Sequence, residues 1–285
     1  MHALVRTIGG PQAHCTEVQL AVPSVQRNVI LRIYDNDGGL RRPGLVYLHG
    51  GDFSDGCIDD AHATAMGIAS DATVICVDYP LAPDAAFPIA LETSYAVLEW
   101  VSCHARTLHV DPMRLFVGGR RAGGNLAAGV AMVARDRQFN KLRRRQLAGQ
   151  ALIAPLLDAT QGTAASREAG HPYRRGWTNY LPRPRDFHHP YASPLHSRRL
   201  HGLAPALLVT GKDDPLRDEA MQYAWSLKDA KVPVQFHSLG ASSPAMPEAA
   251  VGRVTLTLLR RFLSGRDLAA GMARRLSRGW QSGAQ

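Results

Sequence analysis

Residues Leu115-Phe116-Val117-Gly118-Gly119-Arg120-Arg121-Ala122-Gly123-Gly124-Asn125-Leu126 decide the fold. An apolar run of strand character enters a glycine turn, and the turn opens an alanine-rich helix. This is the layout of a nucleophile elbow, G-x-S-x-G, with its outer glycines at Gly119 and Gly123. So sharp a turn brings backbone against backbone, and a Cβ at either flank would clash. The place that such a turn gives to a nucleophile holds Arg121. A guanidinium stays protonated at physiological pH and offers no nucleophilic lone pair.

Outward from the turn, apolar runs alternate with helical stretches. Thr16–Val22 alternates as a half-buried strand, and Val29–Tyr34 reads as its hairpin partner, followed by a turn over Asp35–Gly39. Leu45–Leu48 and Thr73–Val77 are short apolar runs of the kind covered on both faces, with a helix near Asp60–Ala69 between them. A helix is expected from Pro88 to about Leu108, with proline suited to its first turn. Leu152–Ala154, Ala206–Val209 and Val232–Phe236 continue the series, with a helix over Leu216–Asp229. This alternation predicts an α/β fold: one domain over 1–285 built on a mostly parallel doubly wound sheet. Residues 159–204 break the pattern with glycines, prolines and the aromatics Trp177, Tyr180 and Tyr191, and read as a cap-like insert over the sheet. Residues 266–285 space Leu268, Met272, Leu276 and Trp280 as an amphipathic helix.

Composition narrows the function classes. Apolar content of 45% is ample for a core, and no apolar run is long enough to span a bilayer. The N-terminal residues lack the apolar stretch of a signal peptide, which predicts a cytoplasmic protein. The four cysteines are scattered, with no C-x-x-C pair, so neither a zinc site nor a disulfide framework is expected. No cofactor motif is present. The net charge is +9, but 29 of the 33 basic residues are arginine in an alanine-rich chain, which reads as compositional bias. The densest cluster, Lys141-Leu142-Arg143-Arg144-Arg145, reads as a solvated loop, and no nucleic-acid-binding motif accompanies it.

Five further stretches fall in a telling order. They are His49-Gly50-Gly51-Asp52-Phe53, Val77-Asp78-Tyr79-Pro80-Leu81-Ala82-Pro83 with Phe87-Pro88 after it, Asp111-Pro112, Ser193-Pro194-Leu195, and Asp214-Pro215-Leu216-Arg217-Asp218-Glu219. With the elbow, they make residues 16–264 resemble the hormone-sensitive-lipase branch of the α/β-hydrolases, the group of acetyl esterases and arylacetamide-deacetylase-like carboxylesterases. The resemblance implies an α/β-hydrolase fold. It makes His49-Gly50-Gly51-Asp52 the oxyanion loop and Asp214 the triad acid. It also exposes departures. The family's G-D-S-A-G-G is here Gly119-Arg120-Arg121-Ala122-Gly123-Gly124, and the stretch matching its G-x-x-H-G-F puts Ser243 where the catalytic histidine belongs. The helical cap that many members carry ahead of the first strand has no counterpart.

Acyl transfer needs a nucleophile, a base and donors aimed at the developing oxyanion. Only the donors are expected to survive: backbone N–H groups of Gly50, Gly51 and Ala122. Arg121 then has two uses. It binds an anion at the helix N-terminus, or it folds onto Asp214 or Asp52 as an ion pair. The leading expectation is a carboxylesterase-like protein without hydrolytic activity that binds a small acyl, aryl or anionic ligand or has a regulatory role. Alternatives are an elimination or cyclisation enzyme using Asp214, Tyr79 or Asp52, a weak carboxylic-ester hydrolase, and a homodimer or protein-docking module using the C-terminal helix. Ser102, Ser242 and Ser243 are substitute nucleophiles by chemistry only, while His171, His188, His189 and His237 read as packing or surface histidines, and no pair of these has metal-ligand spacing with further ligands nearby.

Overall fold

Nine strands form a single sheet in the order β1-β2-β3-β5-β4-β6-β7-β8-β9. They are β1 Ala3–Gly10, β2 Ala13–Val22, β3 Arg27–Asp35, β4 Arg42–Leu48, β5 Thr73–Asp78, β6 Val110–Arg120, β7 Gly149–Ile153, β8 Ala206–Gly211 and β9 Val234–Leu239. The structure is a computed structural model and describes residues 3–10, 13–35, 41–61, 64–65, 68–69, 71–139, 146–169, 173–240 and 248–265. Strands β5, β4, β6, β7, β8 and β9 run parallel to one another, and β1, β2 and β3 add an antiparallel flank. The expected α/β-hydrolase architecture is present. β1 is an addition that the sequence reading did not contain. The expected turn after Asp35 and the amphipathic helix at 266–285 lie outside the described residues.

The described helices are α1 Ile89–Cys103, α2 Ala122–Asp136, α3 Ala164–Glu168, α4 Arg174–Tyr180, α5 Arg217–Asp229 and α6 Glu248–Leu263. One core layer joins the sheet to α1, α2 and α5, through residues such as Leu98, Leu126, Val130 and Tyr223. A second, on the opposite face, gathers Ile58, Ile68, Leu259 and Phe262. Covering both faces explains why the central strands are continuous apolar runs rather than alternating ones.

Residues 159–204 carry α3, α4 and short 3₁₀ turns, and α4 packs on the 49–53 loop. Phe53, on that loop, stacks on Tyr180 with centroids 4.2 Å apart and tilts against Trp177 at 4.7 Å. Gly176 makes this docking close. A Cβ there would lie 1.9 Å from the Asp52 carbonyl oxygen, so any larger residue would lift α4 off the loop.

Asn125, fully buried in the first turn of α2, ties the turn to the segment that follows β7 and to the far end of the insert. Its Nδ2 donates to Leu156 O at 2.7 Å and to Ala192 O at 2.8 Å. Asn125→Ala leaves two buried carbonyls without donors and is expected to cost about 2 kcal/mol. Urea unfolding with an unchanged m-value should report it, and an unaltered midpoint would show that these bonds carry no load.

Candidate functional site

The turn between β6 and α2 is held by close backbone approach. A Cβ on Gly123 would lie 2.2 Å from the carbonyl oxygens of both Leu48 and His49, at the end of β4. Between β6 and α2, Arg121 takes φ 51° and ψ −115°, outside the regions a non-glycine residue normally occupies. Such a conformation costs on the order of 1–3 kcal/mol and persists only where its surroundings enforce it. Here Arg121 N–H donates to Ile153 O at 3.0 Å. Its carbonyl accepts from Asn125 N at 3.0 Å and from Leu156 N at 3.2 Å.

That backbone projects the Arg121 side chain into a cleft of about 520 Å³, whose walls include Gly51, Asp52, Asp55, Arg120 and Tyr173. The guanidinium donates to the Tyr173 hydroxyl and lies over the Tyr173 ring, 5.4 Å from its centroid. Tyr173 stands just ahead of α4, and its N–H donates to Gln161 Oε1 at 3.3 Å. The expected ion pair is therefore corrected: among the described residues, Arg121 meets an aromatic hydroxyl on the insert rather than Asp214 or Asp52. The physical reason is direction: the guanidinium points to Tyr173, and Asp214 is not among the cleft walls. Asp214 is half-buried and its Oδ1 accepts from Leu216 N at 2.8 Å, while Asp52 Oδ1 accepts from Ser54 N at 3.0 Å.

The loop from His49 differs from expectation too. His49 is fully buried and stacks on Tyr79, with centroids 4.1 Å apart. Its Nδ1 is 2.8 Å from Gly50 O, which makes Nδ1 the protonated nitrogen, and burial lowers its pKa and keeps the ring neutral. The Tyr79 hydroxyl donates to His49 O at 3.1 Å, and burial raises its pKa well above the usual range. The donors expected to face an oxyanion are partly consumed. Ala122 N–H donates to Gly51 O at 3.3 Å.

The cleft thus brings together Gly50, Gly51, Asp52 and Arg121, whereas His49 and Ala122, both fully buried, are not among its walls. Asp214, past the end of β8, is not among its walls. Positions 242 and 243 lie outside the described residues, as does His171. Ser102 is buried in α1, and His189 packs on Phe87 at 4.9 Å. Tyr173 and Asp55 were absent from the sequence reading. Among the described residues no group of three or more histidine, cysteine or acidic side chains is placed to hold a metal, and no helix is long and apolar enough to cross a membrane.

Beside the acid loop, Glu219 is buried and accepts from Leu157 N at 3.1 Å and Asp158 N at 2.7 Å. Burial, reinforced by the Asp158 charge, pushes its pKa well up against the pull of these two bonds. Asp158 goes the other way. Burial opposes its charge, but bonds from His196, Thr160 and Gly162 together outweigh that and hold it at about 2.

The chain is similar to four known families or proteins that bear on this arrangement. The sequence family described as alpha/beta hydrolase fold matches residues 45–242. The chain is 36% identical over 253 residues to a carboxylic ester hydrolase of Mycobacterium tuberculosis, covering 85% of this chain and 67% of that protein. It is 29% identical over 205 residues to a gibberellin receptor of Arabidopsis thaliana, covering 66% of this chain and 58% of the receptor. A solved thermostable carboxylesterase from a metagenomic library superposes with a TM-score of 0.80 at 33% identity, covering 90% of this chain and 91% of its own.

The Asp158 pKa carries a pH signature. A carboxylate held at about 2 against 3.8 unfolded contributes stability that is present above pH 3.8 and lost as pH falls towards 2. Asp158→Asn should therefore be less stable by about 2 kcal/mol at neutral pH, with the deficit shrinking on acidification through that window. Chemical denaturation across the acid range checks this; a deficit independent of pH would contradict it.

Proposed function

The chain belongs to the alpha/beta hydrolase fold family, in its carboxylesterase-like branch, and on that premise we propose that it is a non-hydrolytic member that binds a small ligand in the cleft at its elbow. The observation that carries this reading is Arg121. It occupies the turn residue from which a nucleophile would act, and its guanidinium is held by Tyr173 in the cleft. A protonated guanidinium supplies charge and planar donors, not an attacking lone pair. Such a group suits recognition of an acyl, aryl or anionic ligand at a helix N-terminus. That a protein named as a gibberellin receptor is among its relatives supports small-ligand binding on this scaffold.

The test is hydrolysis of p-nitrophenyl acetate by the purified chain, beside Arg121→Ala and an intact esterase. The expected rate stays within the roughly 10³-fold over water that binding and oxyanion contacts alone provide. Turnover at the level of the intact esterase, abolished by a serine-reactive phosphonate, would sink the proposal and place a nucleophile elsewhere in the chain.

A further inference from the structure

The cleft at the elbow holds charges of both signs that do not meet. Arg120 and Arg121, at the end of β6, share its walls with Asp52, Asp55 and Asp60, on the segment that follows β4. β4 and β6 are parallel neighbours, so both sets stand at the carboxyl ends of adjacent strands, where open α/β sheets take their ligands. Elsewhere arginine closes on a nearby carboxylate: Arg137 on Glu92 and Arg183 on Asp186, each at 2.6 Å. Among the described residues no ion pair joins either cleft arginine to any of the three aspartates.

Each side is steered away from the other. The Arg121 guanidinium is taken by the Tyr173 hydroxyl, a neutral partner that leaves its charge uncompensated. Arg120 is exposed, and its side chain makes no hydrogen bond among the described residues. Each aspartate is oriented through one oxygen by a backbone N–H of its own segment: Asp52 Oδ1 by Ser54 at 3.0 Å, Asp55 Oδ1 by Asp52 at 2.7 Å, and Asp60 Oδ2 by Cys57 at 2.8 Å. The second oxygen of each is without a partner among the described residues. Two arginines against three aspartates leave the walls with an excess of negative charge, so an anion alone is attracted at one side and repelled at the other. A ligand charged at both ends satisfies both sides. Its carboxylate takes charge-assisted bonds from the guanidiniums, and its ammonium gives them to the unused carboxylate oxygens.

We infer that the cleft selects a small zwitterion of the amino-acid or short-peptide class, with its carboxylate at Arg120 and Arg121 and its ammonium at the three aspartates. The inference rests on the ligand-binding reading above and names the chemistry of that ligand. The volume of about 520 Å³ is in the range of small-molecule sites.

Calorimetric titration of the full chain tests it with the series from glycine to tetraglycine, at about pH 6.5, where both ends are ionised. The reach of these probes grows by about 3.5 Å per residue, and one length is expected to bind best because the two charged sets stand at a fixed separation. For that length, the N-acetylated form lacks the ammonium and the C-terminal amide lacks the carboxylate. Each is expected to bind at least about fivefold more weakly than the parent. Arg120→Gln and Asp55→Asn then remove one wall charge each at exposed positions. Arg120→Gln should shrink the penalty for amidation by about threefold and leave that for acetylation unchanged, and Asp55→Asn should do the reverse. A merely structural role would move both penalties together. The inference is overturned by a series that binds at no length, by equal affinity for blocked and unblocked peptides, or by penalties that shift together in both variants. Tight binding of the acetylated peptide alone would overturn the zwitterion and leave a ligand-binding cleft in place. Ester turnover at the level of an intact esterase would instead overturn the non-hydrolytic reading, and the titration does not read it, so the two failures are distinguishable.

Discussion

Every feature of the candidate site depends on how closely the start of α2 approaches the end of β4. With Gly123 against the carbonyls of Leu48 and His49, nothing fits between helix and strand, and the residue at the apex has nowhere to point but the cleft. The strained backbone of Arg121 follows from that proximity and is fixed by bonds to β7, α2 and the segment after β7. None of these restraints involves the side chain at position 121. The turn is indifferent to whether its apex bears a hydroxyl or a guanidinium, and so the architecture and the proposed absence of hydrolysis coexist without conflict.

The insert is bound to the site at two levels. Phe53, Trp177 and Tyr180 form an aromatic cluster between loop and helix, and Phe87 N–H donates to Tyr180 O at 2.8 Å beneath it. Above the cluster, Tyr173 reaches the Arg121 guanidinium. The first level is apolar and insensitive to salt and pH; the second is polar and half-exposed. The insert and the oxyanion loop therefore behave as one packed unit, and the polar contact at its edge sets how the cleft is lined.

Much of this was legible beforehand because the signals were local. Apolar runs bounded by turn residues located β4, β5, β7, β8 and β9 within two or three residues, while β6 starts at Val110, five residues ahead of its apolar run, and the glycine spacing located the elbow. β1 was missed because its alternation is short and bears Arg6 and Thr7. Tyr173 and Asp55 were missed for a different reason. Tyr173 lies 52 residues from Arg121 along the chain, and only the fold of the insert brings them together. Asp55 is near in sequence, but its bond to the Asp52 N–H depends on the direction of that N–H, which the pattern of residue types does not encode. The expected Arg121 ion pair failed similarly, since the direction in which the turn aims the guanidinium, towards Tyr173, is set by the fold and not by the charges along the sequence.

The run Asp214-Pro215-Leu216-Arg217-Asp218-Glu219 is, by resemblance, a mark of catalysis, yet its members hold the chain together. Asp214 caps Leu216, Arg217 donates to Lys212 O at 2.9 Å, Asp218 accepts from Ala165 N at 3.0 Å on α3, and Glu219 receives the backbone of Leu157 and Asp158. Residues with such mechanical duties cannot drift when a reaction is abandoned, because the fold would drift with them. A side chain employed by chemistry alone is released at once. A lineage that gives up hydrolysis on this scaffold would therefore keep the vocabulary of an esterase almost entire, and would betray its change of occupation only at the few letters that bore no weight.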